Sequence, residues 1–262
     1  TNTRTKTHIM GVGLRMFDIR SLPFFERNDE RDALWTVLKE IPDTGAQSII
    51  IRGPAGIGKS RLAQWFCECA QETGVAKVFH IKNTQSGSSG VVDLLNESLR
   101  CQDLNPEETK ERLQKVLRQY NSLLRDIDKI VAILTQTETD GLFKESWERD
   151  DLIIRLLLRQ RNDPTALAKP RMAIIWNYDA HFGEETLTLC QSVLQSVHVN
   201  LLPIIFVHTV KTETLTHENP CRVSIAKIQN HTRNQTIRLS PFDSQTQRKI
   251  INSMLDLSSG LV

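Results

Sequence analysis

The feature that most limits the fold is a junction between residues 48 and 72. A short apolar run, SIIIRG, ends at Gly53, and the loop Gly53-Pro-Ala-Gly-Ile-Gly58-Lys59-Ser60 follows without a gap. The stretch from Lys59 to Glu72 then carries Leu62, Ala63, Trp65, Phe66 and Ala70 at helical spacing. An apolar run of this length, stopped by glycine, predicts a strand covered on both faces. The loop fits G-x-x-x-x-G-K-[ST]: its glycines let successive N–H groups turn inward toward phosphate oxygens, and the following helix adds its positive N-terminal end. A lysine at position 59 neutralises β- and γ-phosphates, and a hydroxyl at position 60 ligates Mg²⁺. Gly53, Pro54, Ala55, Gly56, Ile57, Gly58, Lys59, Ser60 and Arg61 are therefore the candidate nucleotide contacts, with Ser60 as a metal ligand.

The rest of the chain repeats the strand and helix rhythm. A helix is predicted over Asp29–Glu40, with Asn28 as its N-cap. The runs VAKVFHI, RMAIIW, LLPIIFVHT and TIRLSP are further strand candidates, with a helix from Glu184 to about Val197 and another after the last run. The pattern predicts an α/β three-layer sandwich built on a mostly parallel sheet of about five strands. Ligands bind at the carboxyl ends of strands in such a sheet. Residues 83 to 165 lose the strand signal and read as a helical insertion, with NPEETKERLQKVLRQY opening on an Asn cap, Pro and early glutamates. Residues 1–23 read as a linker and 24–262 as one domain. The polar start TNTRTKTH without Met and the stop at SSGLV read as cuts through a longer polypeptide.

At 262 residues the chain suits one large domain. Its longest apolar runs fall short of the roughly 20 residues that span a bilayer, so no membrane segment is expected. Five cysteines, odd in number and irregularly spaced, fit a reducing cytoplasm. Cys67 and Cys69 point to different faces of one helix, which argues against a shared metal. A net charge of +2 gives no support for a nucleic-acid partner.

Phosphate-loop enzymes also place a carboxylate at a neighbouring strand tip, to hold magnesium and orient water. AIIWNYDAHF is the candidate, and its one acid is Asp179. With LPFFERNDERDALW, IIIRGPAGIGKSRLAQWFCE, IIWNYDAHFG and RLSPFD, the chain resembles the signal-transduction ATPases with numerous domains, an AAA+-like P-loop group, above all the modules linked to bacterial serine/threonine protein kinases.

The resemblance implies ATP or ADP with Mg²⁺ as ligands, and flanking domains of the same polypeptide, a protein kinase domain among them. It also implies nucleotide-dependent self-association, base and ribose contacts at Phe25 and Arg27, and a γ-phosphate sensor at Thr209 with Lys211 where the group often has arginine. In the group the strand ends in two acids, a small residue and His or Gln. Aligned on Ala180 and His181, Tyr178 takes the magnesium-acid position and Asp179 that of the water-polarising acid. A phenol of pKa near 10 is a poor magnesium ligand at neutral pH, so hydrolysis is expected to be slow. Two alternatives remain at this stage: Asp179 serves the metal itself, or Asn177 contributes a neutral oxygen. Asp179 and Thr209 are the catalytic candidates. Three functions compete: a regulatory switch, a nucleotide-holding module without turnover, and an AAA+-type ATPase acting on DNA.

Overall fold

The computed structural model describes residues 26–84, 87–88, 90–137, 141–143, 145–158 and 172–259. These fall in two compact units, one spanning Asn28–Pro241 and the other joining residues 26–27 to 242–259. The linker expected over residues 1–23 lies outside the described residues, as does Phe25.

The larger unit is built on strands β1 (Gln47–Gly53), β2 (Ala76–Thr84), β3 (Gly87–Ser88), β4 (Met172–Tyr178), β5 (Ile204–Lys211) and β6 (Asn234–Arg238). They lie in the order β3-β2-β4-β5-β1-β6. β2, β4, β5, β1 and β6 are parallel, and the two-residue β3 pairs antiparallel with β2. The inner strands read as continuous apolar runs because both faces are covered. Ile50, Phe79, Ile81, Ala173, Ile175 and Phe206 point one way, into a core shared with buried side chains of the later helices. By the two-residue alternation of a strand, Ile49, Ile51, Ile174 and Val207 face the opposite way.

Helices α1 (Asn28–Thr44) and α2 (Lys59–Glu72) pack on each other and on the sheet. Trp35 meets Trp65 edge-on at 6.2 Å and Phe66 at 6.3 Å, a geometry worth about 0.5–1.5 kcal/mol per pair beyond burial. α1 begins one residue earlier and ends four residues later than its apolar pattern suggests. Its last turn accommodates Pro42, and Gly45, at φ 78, stops it.

Between β2 and β4 the chain forms α3 (Val91–Leu99), α4 (Pro106–Val116), α5 (Asn121–Arg125), α6 (Ile127–Thr135) and α7 (Ser146–Leu158). After β4 come α8 (Glu184–Gln195) and, between β5 and β6, α9 (Cys221–Gln229), which the sequence pattern had not marked. In the smaller unit, α10 (Ser244–Ser259) donates from the Thr246 hydroxyl and the Lys249 ammonium to the Glu26 carboxylate, at 2.5 and 3.2 Å. The Arg27 guanidinium lies over the Phe242 ring at 4.2 Å. Among the described residues, no helix is long and apolar enough to cross a membrane.

The start of α4 is the best-defined local signal among the helices between β2 and β4. The Asn105 side chain accepts from the Glu108 N–H at 2.9 Å, the Glu108 carboxylate accepts from the Asn105 N–H at 3.0 Å, and Pro106 opens the helix. Such a capping box satisfies two of the four N–H groups that a helix start leaves over. Asn105→Ala is expected to lower stability by about 1 kcal/mol, read as a shift of the urea midpoint with an unchanged slope.

Candidate functional site

The loop after β1 makes one continuous turn into α2. Gly56 and Gly58 have φ of 74° and 99°, a region that costs any L side chain, and a Cβ at either would meet nothing within 4 Å. Their role is backbone shape in an open cradle. Gly58 precedes α2 without a side-chain cap, so the first N–H groups of the helix keep their positive end facing the loop. Lys59 is buried and its Nζ donates to the Pro54 carbonyl at 2.6 Å. Burial lowers the Lys59 ammonium below the usual lysine range; Glu213 and Asp179 pull it back up and Lys211 pushes it further down. Ser60 is half-buried at the second position of α2, and Arg61 beside it is exposed.

β4 runs two residues beyond its apolar stretch, so Asn177 and Tyr178 belong to the strand. A polar residue is tolerated there because it is fully paired. Asn83 Nδ2 donates to Asn177 Oδ1 at 2.5 Å and to the Tyr178 carbonyl at 2.8 Å. Asn177 Nδ2 in turn donates to His208 Nδ1 at 3.1 Å. This chain crosses β2, β4 and β5 inside the protein, and it corrects the notion of Asn177 as a metal oxygen: the side chain is buried, and both of its polar ends are engaged. Burial pushes the His208 imidazole down to about 3, which keeps Nδ1 free to accept. Gly183 closes over this chain, since a Cβ there would sit 2.6 Å from Asn83 Nδ2 and 2.8 Å from Asn177 Oδ1.

Asn177 and His208 are in register, so alternation sends Tyr178 and Thr209 to the other face, that of Ile49 and Ile51. There the Tyr178 ring packs edge-on against Trp176 at 6.0 Å. Asp179 follows in the left-handed region (φ 51), an uncommon conformation for a residue other than glycine and one that clusters at functional sites. Its N–H donates to the Thr209 hydroxyl at 3.1 Å, and its Oδ2 accepts from Lys211 Nζ at 3.2 Å. His181 is buried in the short turn that follows, and burial lowers its imidazole as well.

Two residues absent from the sequence reading complete the site. Glu213, in the turn Thr212–Thr214 just after β5, accepts from the Ala55 N–H at 3.0 Å. Asn219 donates to the carbonyls of His181 (3.2 Å) and Thr214 (3.1 Å), and its Oδ1 accepts from the Cys221 N–H at 2.9 Å at the start of α9. Lys59, Asp179, Thr209, Lys211 and Glu213 thus surround the phosphate loop. Arg27 belongs to the smaller unit.

A glycine-rich loop joining strand to helix at the carboxyl edge of a five-stranded parallel sheet, with an acid at the tip of the strand one place beyond its neighbour, defines the P-loop nucleoside triphosphatase fold. No known protein-family profile and no curated protein matches the chain. Twenty-nine chains of solved structures do. They include the crystal structure of Cdc6p from Pyrobaculum aerophilum, with 13% identity and a TM-score of 0.47, over 92% of this chain and 53% of that one. The chain therefore spans about half the length of that protein.

The buried histidine makes stability depend on pH. His208 ionises near 3 when folded and near its ordinary 6.5 when exposed, so the unfolded chain takes up the proton first. Its contribution is complete above pH 6.5 and is lost as pH falls toward 3; the lowered His80 and His181 act with the same sign. His208→Gln is expected to remove up to about 1.4 kcal/mol of this loss per pH unit, measured as a smaller difference in urea stability between pH 7 and pH 5.

Proposed function

We propose that this chain is an ATP-binding switch domain with slow turnover, of the kind its resemblance to the signal-transduction ATPases implies. The observation that carries the reading is the cradle itself. An open glycine loop, an uncapped start of α2 and a buried Lys59 within reach of the loop converge where a strand of a parallel sheet ends. In such a cradle the backbone N–H groups hold phosphate oxygens, and Lys59 exchanges the Pro54 carbonyl for the β- and γ-phosphates. Ser60 is placed to hold Mg²⁺, which when bound neutralises charge developing on the phosphates.

The slow turnover rests on β4. On the face that carries Thr209, the strand presents a phenol, and the acid that directly follows β4, Asp179, is already paired with Lys211. A carboxylate committed to an ammonium is a weaker magnesium ligand and a weaker base for water than a free one. Thr209 is fully buried and its hydroxyl accepts from Asp179 N–H, which leaves its proton for a terminal phosphate oxygen once a ligand opens a way to it. Thr209 and Asp179 are then the pair through which the number of phosphates is read. The reading extends to an adenine base, to flanking domains as the partners addressed, and to self-association governed by nucleotide.

Lys59→Ala is expected to weaken ATP binding on the order of a hundredfold in a calorimetric titration, because it removes a charged partner from the β- and γ-phosphates. Unchanged affinity would end the phosphate-loop reading. ATP is expected to displace labelled ATP better than GTP does, and equal competition would overturn the adenine assignment.

Steady-state phosphate release distinguishes the two roles of Asp179. The wild type should be slow and Tyr178→Asp faster, since that change places a carboxylate beside Thr209. If Asp179 is instead the magnesium acid, the wild type turns over, Asp179→Asn abolishes it and Tyr178→Asp gives no gain.

A further inference from the structure

Glu213 is an exposed acid with an unusual position. Its carboxylate reaches back 158 residues along the chain to take the N–H of Ala55, inside the loop that is shaped to hold phosphate. Two ammonium groups add to the pull: Lys59 and Lys211 both attract it. A carboxylate on a loop N–H next to a lysine offers the same chemistry as a phosphate oxygen: negative charge, acceptor lone pairs and no proton to donate.

We propose that Glu213 is a built-in competitor for the phosphate loop, which holds the Ala55 N–H until the terminal phosphate of a nucleoside triphosphate displaces it. The proposal rests on the phosphate-binding reading of this loop and adds what sets its preference among ligands. A monophosphate leaves the Glu213 contact in place. A triphosphate brings its terminal charge against Lys59, where like charges cannot share the site, and the carboxylate must leave.

The displacement has a path outward. Glu213 sits in the middle of the Thr212–Thr214 turn, which is tied at one end to β5 by the Thr214 hydroxyl on the Lys211 carbonyl at 2.9 Å. The carbonyl of the same Thr214 is held by Asn219, which also holds the His181 carbonyl and the first N–H of α9. A shift of the turn therefore bears on Lys211, the partner of Asp179, and on α9, which packs against α8. Occupancy of one loop N–H is converted into the position of a helix.

The test is calorimetric titration of ATP, ADP and AMP, with magnesium, into the wild type, Glu213→Gln, Glu213→Ala and Lys59→Ala. Removing the competing charge should tighten ATP roughly threefold to tenfold in both Glu213 variants, ADP less, and AMP not at all. Hydrogen exchange in residues 212–221 of the wild type should change with ATP and not with AMP. ATP binding that is unchanged or weaker in both variants would overturn the proposal, by showing that Glu213 is idle or supports the loop. An equal gain for all three nucleotides would overturn it too, because that is the mark of general repulsion rather than displacement. If Lys59→Ala binds ATP as the wild type does, the phosphate-loop reading fails and the competitor falls with it. Loss of binding in Lys59→Ala with no effect in the Glu213 variants removes the competitor alone.

Discussion

The register of β1 against β5 is the constraint on which the site depends. Gly53, where β1 gives way to the glycine loop, stands opposite Lys211, the last residue of β5. Ile51 stands opposite Thr209. From this pairing the turn after β5 delivers Glu213 to Ala55, while the pairing of β5 with β4 brings Thr209 to the Asp179 N–H and Lys211 to the Asp179 carboxylate. A slip of one residue would send every side chain of β5 to the opposite face, putting Thr209 and Lys211 among the later helices and His208 against α2. The register is held by the apolar residues on both faces, where Ile49, Ile51 and Val207 are as fully buried as Ile50 and Phe206. Burial in the middle of the sheet thus controls a geometry of polar groups at its edge.

That edge is electrically balanced before any ligand arrives. Lys59 and Lys211 supply two positive charges and Asp179 and Glu213 two negative ones, with each carboxylate on its own donor. Lys59 alone among the four leans on a neutral carbonyl. Its burial disfavours the charged form, and the two acids offset part of that effect. On the proposed displacement, a polyphosphate entering this arrangement does not fill an empty positive pocket; it replaces the Glu213 carboxylate already seated on the loop. The Asn83–Asn177–His208 chain lies behind the edge and stiffens it, tying three adjacent strands together just below the site.

Much of this was legible in the sequence, and the parts that were not share a cause. The phosphate loop is contiguous, so eight residues state its geometry without reference to the fold. Parallel strands announce themselves as apolar runs; Asp179 stands out because it follows such a run, while Thr209 and Lys211 are candidates through the family resemblance at the end of another. Glu213 carries no comparable mark. In the sequence it is one acid in a polar turn, and only the pairing of two distant strands brings it to Ala55. The sequence pattern puts Asn83 at the start of the helical insertion and Asn177 beyond its strand, because an isolated asparagine at a strand end is ordinary; it is their mutual pairing, and the room that Gly183 leaves, that makes them interior. α9 was missed for a related reason. Its buried positions Cys221, Ile225 and Ile228 do recur at helical spacing, but the exposed Val223 blurs the pattern over only nine residues.

How much movement such a site can drive is limited by how differently it treats its ligands. Taking a two-state element from 1:99 to 99:1 requires a difference of about 5.5 kcal/mol between its affinities for the two states. One solvent-exposed hydrogen bond at Ala55 falls well short of that by itself. The difference has to be gathered over several contacts that change together, and the linkages around Asn219 are of that kind: one side chain spans the turn that bears Glu213, the turn that follows Asp179, and the start of α9. Because Asp179 and Glu213 both answer to Lys211, a phosphate that draws the lysine toward itself loosens the first acid as it expels the second. In the proposed switch, cooperation between the two carboxylates, more than the strength of either contact, is what would let a small ionic exchange at the loop be felt in the helices packed beyond it.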